Sequence, residues 1–197
     1  MTLVTAPCSP APSDECLLAR LAGGERQALE ELFARYRSIA YRVAYRLLGH
    51  EADALDAVQD GFVKALTHLD SFQGRSSFKT WLLRVVSNAA LDLGRQRGRR
   101  EMLSLDAAPA RDSENSQPVV CEDPAQGLER ADLRRLLNEA LSKLPEAQRQ
   151  TFVLHADAEL SYREVAEVLG ISIGTVMSRL YYARQKLRAY LAERIKL

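Results

Sequence analysis

Ser161-Tyr-Arg-Glu, then a short apolar run to Gly170, then Ser172, leaves the chain from 161 to 188 little conformational freedom. Ser161 and Glu164 fit the S-x-x-E capping box, in which each side chain satisfies a backbone donor that the first helical turn leaves orphaned. Gly170 suits the left-handed position that closes such a helix, and Ser172 can cap the next one. The spacing predicts helix, tight turn, helix. In the second helix Val176, Leu180, Ala183 and Leu187 recur at i, i+4, i+7 and i+11, a narrow stripe that buries against the preceding helix. Thr175, Ser178, Tyr182 and Gln185 are left on the far side, flanked by Met177, Tyr181 and Arg184. A second helix presented in this way sets small and polar residues against base edges and arginines against phosphates, so the pattern points to the major groove of DNA.

The rest of the chain also reads as helical, and no stretch alternates as a strand does. Ser13 and Asp14 can cap a helix carrying Leu17, Leu18 and Leu21, which Gly23 and Gly24 end. A longer segment stacks Leu29, Leu32, Phe33, Tyr36, Ala40, Val43 and Leu47 on one stripe and closes at Gly49. The next places Ala54, Val58, Phe62, Ala65 and Leu69 inward, with Asp53, Asp56, Asp60 and Lys64 outward. TWLLRVVSNAALDLGRQRGRR is apolar at Trp81, Leu82, Val85, Val86, Ala89 and Leu93, polar at Asn88 and Asp92, and basic beyond Gly94. LERADLRRLLNEALSKL and PEAQRQTFVLHADA follow as further helices, with Pro145 at the start of the second.

Charge divides this helical chain in two. Residues 101–132 hold eight acids against two bases, whereas residues 161–197 hold seven bases against three acids, and RQRGRR stands at 95–100. The acidic stretch mixes Pro, Ser, Asp, Glu and Asn without periodicity and reads as a flexible linker, and the proline-containing residues 1–13 read as a disordered tail. The expected fold is all-α: two small helical domains, 14–100 and 128–197, joined by a flexible acidic linker over 101–127, the C-terminal domain being a helix-turn-helix.

Several classes are set aside by composition and spacing. Cys8, Cys16 and Cys121 are far apart, with no C-x-x-C pair and no nearby histidine, so neither a zinc site nor a disulfide framework is indicated. Apolar runs such as Trp81-Leu82-Leu83 stop within a few residues, well short of the roughly 20 that a membrane span needs. The N-terminus has no signal-peptide pattern, and a cytoplasmic protein is expected. Ser76, Ser77 and Ser87 have no neighbouring histidine in sequence, and His50, His68 and His155 are scattered, so no catalytic residue, cofactor or small-molecule substrate is expected.

FQGRSSFK, residues 72–79, sets an aromatic near each end of a Gly/Ser-rich loop, ahead of a helix with an Asn/Asp/Arg face. Such a surface can hold unstacked bases by stacking and hydrogen bonding, although Trp81 is equally well explained as core.

Taken with ALEELFARYRSIAYRVAYRLLG, DALDAVQDGFVKAL, LPEAQRQTFVL and LSYREVAEVLGISIGTVMSRLYYARQKL, these blocks resemble, in order, a bacterial RNA polymerase sigma factor of the extracytoplasmic-function class, in the sigma-70 family. The resemblance implies a region 2 that docks on core RNA polymerase and opens the minus 10 promoter element, and a region 4 that reads the minus 35 element. It makes Asp53, Asp56, Gln59 and Asp60 the polymerase-docking face. It gives the minus 10 strand to Phe72, Arg75, Ser76, Ser77, Phe78 and Lys79 of the loop and to Asn88, Asp92 and Arg95 of the following helix. The minus 35 duplex goes to Ser172, Thr175, Met177, Ser178, Arg179, Tyr181, Tyr182 and Arg184. Many relatives are held by an anti-sigma factor, which makes one a candidate partner beside core polymerase and promoter DNA.

The chain departs from the family pattern at Met177, where a basic residue is common, at Ile173, where proline is common, and at Leu55 and Ala57 in the docking helix. The alternative is a stand-alone helix-turn-helix regulator, which would bind palindromic duplex without polymerase.

Overall fold

The computed structural model describes residues 12–69, 72, 74–103 and 124–194, which are mostly helical. Eight helices lie among the described residues: α1 (Asp14–Ala22), α2 (Arg26–Leu48), α3 (Glu51–Thr67), α4 (Phe78–Leu103), α5 (Pro124–Ser142), α6 (Glu146–Ala156), α7 (Tyr162–Leu169) and α8 (Ile173–Arg194). No strand occurs among them. The expected all-α class is therefore found. The tail at 1–11 and the linker from 104 to 123 lie outside the described residues. At its two ends the expected linker is shorter than read, because α4 continues to Leu103 and α5 already begins at Pro124. Proline at a first helical position loses no intrahelical bond, so it starts this helix rather than interrupting it.

The chain divides into two units, Met1–Ser38 and Ile39–Leu197. In the first, Ser13 caps α1 by accepting from the Cys16 backbone N–H at 3.3 Å, as expected. Asp14 then accepts hydrogen bonds from Arg35 and from the Tyr36 hydroxyl, which ties α1 to the first half of α2. Leu17, Ala28 and Leu32 are buried.

Phe33, expected on the α2 stripe, is 40% exposed. Its neighbour Leu32 takes the inward place, about 100° away around the helix, and is 1% exposed.

In the second unit α3 packs against α4, with Gly61 close to Val86, and Ala54, Ala57, Val58, Phe62 and Ala65 of α3 and Leu82, Leu83, Val86, Ala89 and Ala90 of α4 are buried. Leu69 is only half-buried. Alanine and glycine on the contacting faces let the two helices approach closely.

The C-terminal helices α5–α8 bury Leu141, Leu144, Val153, Leu154, Leu160, Val165 and Val168 together with Val176, Leu180, Ala183 and Leu187, the stripe read from the sequence. The capping box forms as expected: the Glu164 N–H donates to Ser161 Oγ at 3.3 Å, and the Ser161 N–H donates to Glu164 Oε2 at 2.8 Å. Gly170 sits at φ 64°, ψ 37°. The Ile171 N–H reaches the Ala166 carbonyl at 3.0 Å and the Gly170 N–H reaches Glu167 at 3.3 Å, the paired bonds that close a helix on a left-handed residue. Ser172 accepts from the Thr175 N–H at 3.1 Å and starts α8.

Candidate nucleic-acid interface

Burial of the Val176 stripe fixes which way α8 faces. Ser172, Met177, Ser178, Tyr181, Tyr182 and Arg184 are exposed, and Thr175 and Arg179 are half-buried beside them. Ile173 is 47% exposed, Met177 55%, Tyr181 63% and Tyr182 52%, so four large apolar-bodied side chains stand in solvent on one helix. The tyrosine rings meet edge to face at 5.4 Å, which limits the rotamers of each. The Ser178 hydroxyl donates to the Gly174 and Thr175 carbonyls, each at 3.1 Å, leaving its lone pairs outward. Toward a base edge it therefore offers an acceptor, suited to the amino groups of adenine or cytosine.

The second candidate face lies on α4 and the loop before it. Asn88 and Asp92 are exposed one turn apart, and Arg95 follows on the same side. Arg84, which the sequence reading did not single out, is exposed one turn earlier at i−4 from Asn88 and extends the face. Counting back by one helical turn from Asn88 would have found it. Phe72, Phe78 and Trp81 cluster, with Phe72 5.3 Å from Trp81 and 5.9 Å from Phe78, and Phe78 5.9 Å from Trp81.

Exposure divides the expected loop residues. Arg75 is exposed and Ser76, Lys79 and Phe72 are half-buried, whereas Phe78 is 5% exposed. Phe78, expected to touch DNA, is thus a core residue at the start of α4, with its ring packed against Phe72 and Trp81. Ser77 has its hydroxyl occupied as the cap of α4, accepting from the Thr80 N–H at 3.1 Å. Gly74 has φ 66°, a conformation that other residues adopt only at a cost. Trp81 is half-buried rather than fully inward.

A third face lies on α3. Asp56, Gln59 and Asp60 are exposed as expected, with Asp60 paired to Lys64 at 2.7 Å. Asp53, expected to face outward, is only half-buried at the surface: Arg97 donates to its Oδ2 at 2.7 Å, and His50 Nδ1 lies 3.6 Å from Oδ1. It sits on the flank of the helix that turns toward α4, which explains its capture by the basic end of that helix. Leu55 and Val63, exposed by 53% and 52%, flank the acids. The sequence reading noted Leu55 as a departure and missed Val63, which lies one turn beyond Gln59.

Among the described residues no helix is long and apolar enough to cross a membrane.

Comparison with known proteins finds two matched regions in order along the chain. Residues 32–100 match the family Sigma-70 region 2, and residues 134–187 match Sigma-70, region 4. The chain is 37% identical over 191 residues to the ECF RNA polymerase sigma factor SigE of Mycolicibacterium smegmatis, a match covering 92% of this chain and 70% of that protein. Among solved structures it resembles CnrH in complex with the cytosolic domain of CnrY, with a TM-score of 0.69 at 30% identity over 92% of this chain and 99% of that one. It also resembles RpoE of Bartonella quintana in complex with the anti-sigma factor NepR, with a TM-score of 0.66 at 29% identity over 84% of this chain and 97% of that one. An ordered pair of sigma regions, together with the identity to an ECF sigma factor over most of both chains, makes this chain a member of the extracytoplasmic-function sigma factors of the sigma-70 family.

Proposed function

We propose that the chain directs core RNA polymerase to promoters by dividing the work among its three faces. The residues from 14 to 100 act as region 2 and those from 128 to 197 as region 4. Asp56, Gln59 and Asp60, with Leu55 and Val63, dock on polymerase. Phe72, Arg75, Ser76, Lys79, Asn88, Asp92 and Arg95, with Arg84, receive the minus 10 strand. Ser172, Thr175, Met177, Ser178, Arg179, Tyr181, Tyr182 and Arg184 read the minus 35 duplex. The observation that carries the reading is the polar row Arg84, Asn88 and Asp92, exposed on a helix whose opposite side is buried through Leu82, Val86 and Ala90.

The chemistry needs no bond to be made or broken. A surface that binds only unstacked bases contributes free energy only once the duplex has opened, so selective capture of one strand drives melting. The protein therefore acts without catalysis of its own, in the cytoplasm where polymerase and DNA are. An anti-sigma factor is a further partner, by likeness to the two solved complexes. A stand-alone regulator is disfavoured by the presence of both sigma regions in order.

The test is in vitro transcription with core RNA polymerase and a library of promoter fragments. Transcripts from a subset of fragments, dependent on added chain, are expected. Core polymerase giving the same transcripts with and without the chain would refute the reading.

A further inference from the structure

Met177 and Tyr181 follow Ile173 at i+4 and i+8, so the three lie along one side of α8, and Arg184 and Arg188 continue the row at i+11 and i+15. All five side chains are exposed. The row is thus apolar in the N-terminal half of the helix and cationic beyond it. Between Ser172 and Tyr182 the sequence holds one cation, Arg179, which is half-buried and stands two positions, about 200° of helical rotation, from Met177. No acid occurs on α8 before Glu193.

The polar groups beside this row are largely committed. The Ser178 proton goes to the Gly174 and Thr175 carbonyls, and the Ser172 hydroxyl is shared with the Thr175 hydroxyl at 2.9 Å and with its N–H at 3.1 Å. Among the exposed residues from Ser172 to Tyr182 there is no arginine, lysine, asparagine or glutamine, the side chains that take guanine or adenine by two bonds at once.

We propose that the N-terminal half of α8 selects promoters by the 5-methyl groups of thymine in the major groove, with Met177 the principal methyl-reading side chain and Ile173 and Tyr181 beside it. The inference rests on the assignment of α8 to the minus 35 duplex and names the base chemistry that this face takes. The thymine methyl is the apolar group that a base pair presents in the major groove, and apolar side chains are its complement. An unbranched thioether has the reach and the freedom to close around it. The Tyr181 ring, held edge to face against Tyr182 at 5.4 Å, has less freedom to turn away. Charge favours a duplex as the occupant. The row ends in Arg184 and Arg188, with Lys186 also exposed, and no carboxylate stands near them on α8 before Glu193, so the C-terminal end suits phosphates while the apolar end meets base edges.

The test measures, at fixed salt, binding of holoenzyme assembled from core RNA polymerase and the full chain to a promoter fragment that it transcribes. Deoxyuridine replaces thymine in the minus 35 element alone, which deletes the methyl and leaves every hydrogen-bonding group of the base in place. The parent should bind the deoxyuridine fragment about fourfold more weakly for each methyl it reads, the equivalent of about 0.8 kcal/mol. Met177→Ala should weaken binding to the thymine fragment and narrow the preference between the two fragments, whereas Met177→Leu should keep it. A preference that survives Met177→Ala unchanged would overturn the role given to Met177. If the parent binds both fragments equally while Arg184→Ala still weakens binding, methyl readout is refuted and the α8 assignment stands, leaving the exposed row to a protein partner. If neither Arg184→Ala nor scrambling of the minus 35 element changes binding, the α8 assignment fails and the methyl proposal with it.

Discussion

Gly61 of α3 lies so close to Val86 of α4 that a Cβ on the glycine would come within 2.7 Å of Val86 Cγ2 and 3.0 Å of its Cα. Both residues are buried. The proposed docking face is on α3 and the proposed strand-capturing face on α4, so this contact sets the spacing between the two.

Gly61→Ala should therefore destabilise the protein by about 1–3 kcal/mol through overpacking, although alanine favours a helix by about 1 kcal/mol over glycine. At Gly98, on the same α4, a Cβ would meet no atom within 4 Å, so Gly98→Ala should gain up to about 1 kcal/mol. Urea melts read both. Equal effects at the two glycines would mean that the Gly61 contact is not tight.

The aromatic cluster separates stability from promoter opening. Trp81→Ala removes a half-buried ring packed on Phe72 and Phe78. It should cost about 2–3 kcal/mol, below the roughly 3–5 of a fully buried ring. Asn88→Ala touches only an exposed side chain. It should leave the melting temperature within about 1 °C and still impair opening, the small shift following from the near-neutral stability effect of most surface substitutions. A drop of several degrees for Asn88→Ala, seen by calorimetry, would assign that residue to the fold instead.

Charge reversal at Asp56 and Asp60 should abolish co-purification with core polymerase, since both are exposed on the docking face. Asp53→Lys should behave differently. It breaks the bond with Arg97 and sets like charges together, so a loss of stability is expected alongside any loss of binding. Retention of polymerase by the Asp56/Asp60 reversal would remove α3 from the interface.

The Glu164 cap carries a pH signature. Its carboxyl is lowered from its ordinary value of 4.5, chiefly by the Ser161 hydroxyl. A lowered folded value means stability that is full above the unfolded value and is lost as pH falls through the folded one. Glu164→Ala should cost about 1 kcal/mol at pH 7, and the difference from the parent should shrink as pH falls below about 4. A deficit that stays constant down to pH 3 would show that the carboxylate charge contributes nothing to the cap.

On α8, Arg184→Ala should weaken promoter binding across sequences and lower the salt slope by about one unit, whereas Ser178→Ala and Tyr182→Ala should cost roughly 1–3 kcal/mol at one base position each. Holoenzyme binding to minus 35 variants at several salt concentrations checks the difference. Indistinguishable losses would mean that the helix does not divide base from phosphate contacts as assigned.

Local chemistry made much of this legible. A capping box, a glycine at φ 64° and a stripe at i, i+4, i+7 and i+11 each act over a few residues, so α7, the turn and the buried side of α8 were readable before any packing was known. Phe33, Asp53 and Phe78 were not, because periodicity marks a stripe without saying which of two adjacent residues meets the neighbouring helix, or which flank a distant arginine reaches. The pairing of Arg95 with Glu146 joins positions 51 residues apart, and no spacing rule points to it.

The most direct measurement is permanganate footprinting of a promoter that the chain activates, with core polymerase and the parent chain, the Asn88→Ala variant, or no chain. Reactive thymines across the minus 10 element with the parent, roughly a tenfold loss with Asn88→Ala, about 1.4 kcal/mol of opening free energy, and none without the chain are predicted. Thymines equally reactive in all three reactions would contradict the claim that this protein opens promoters by capturing a strand on α4.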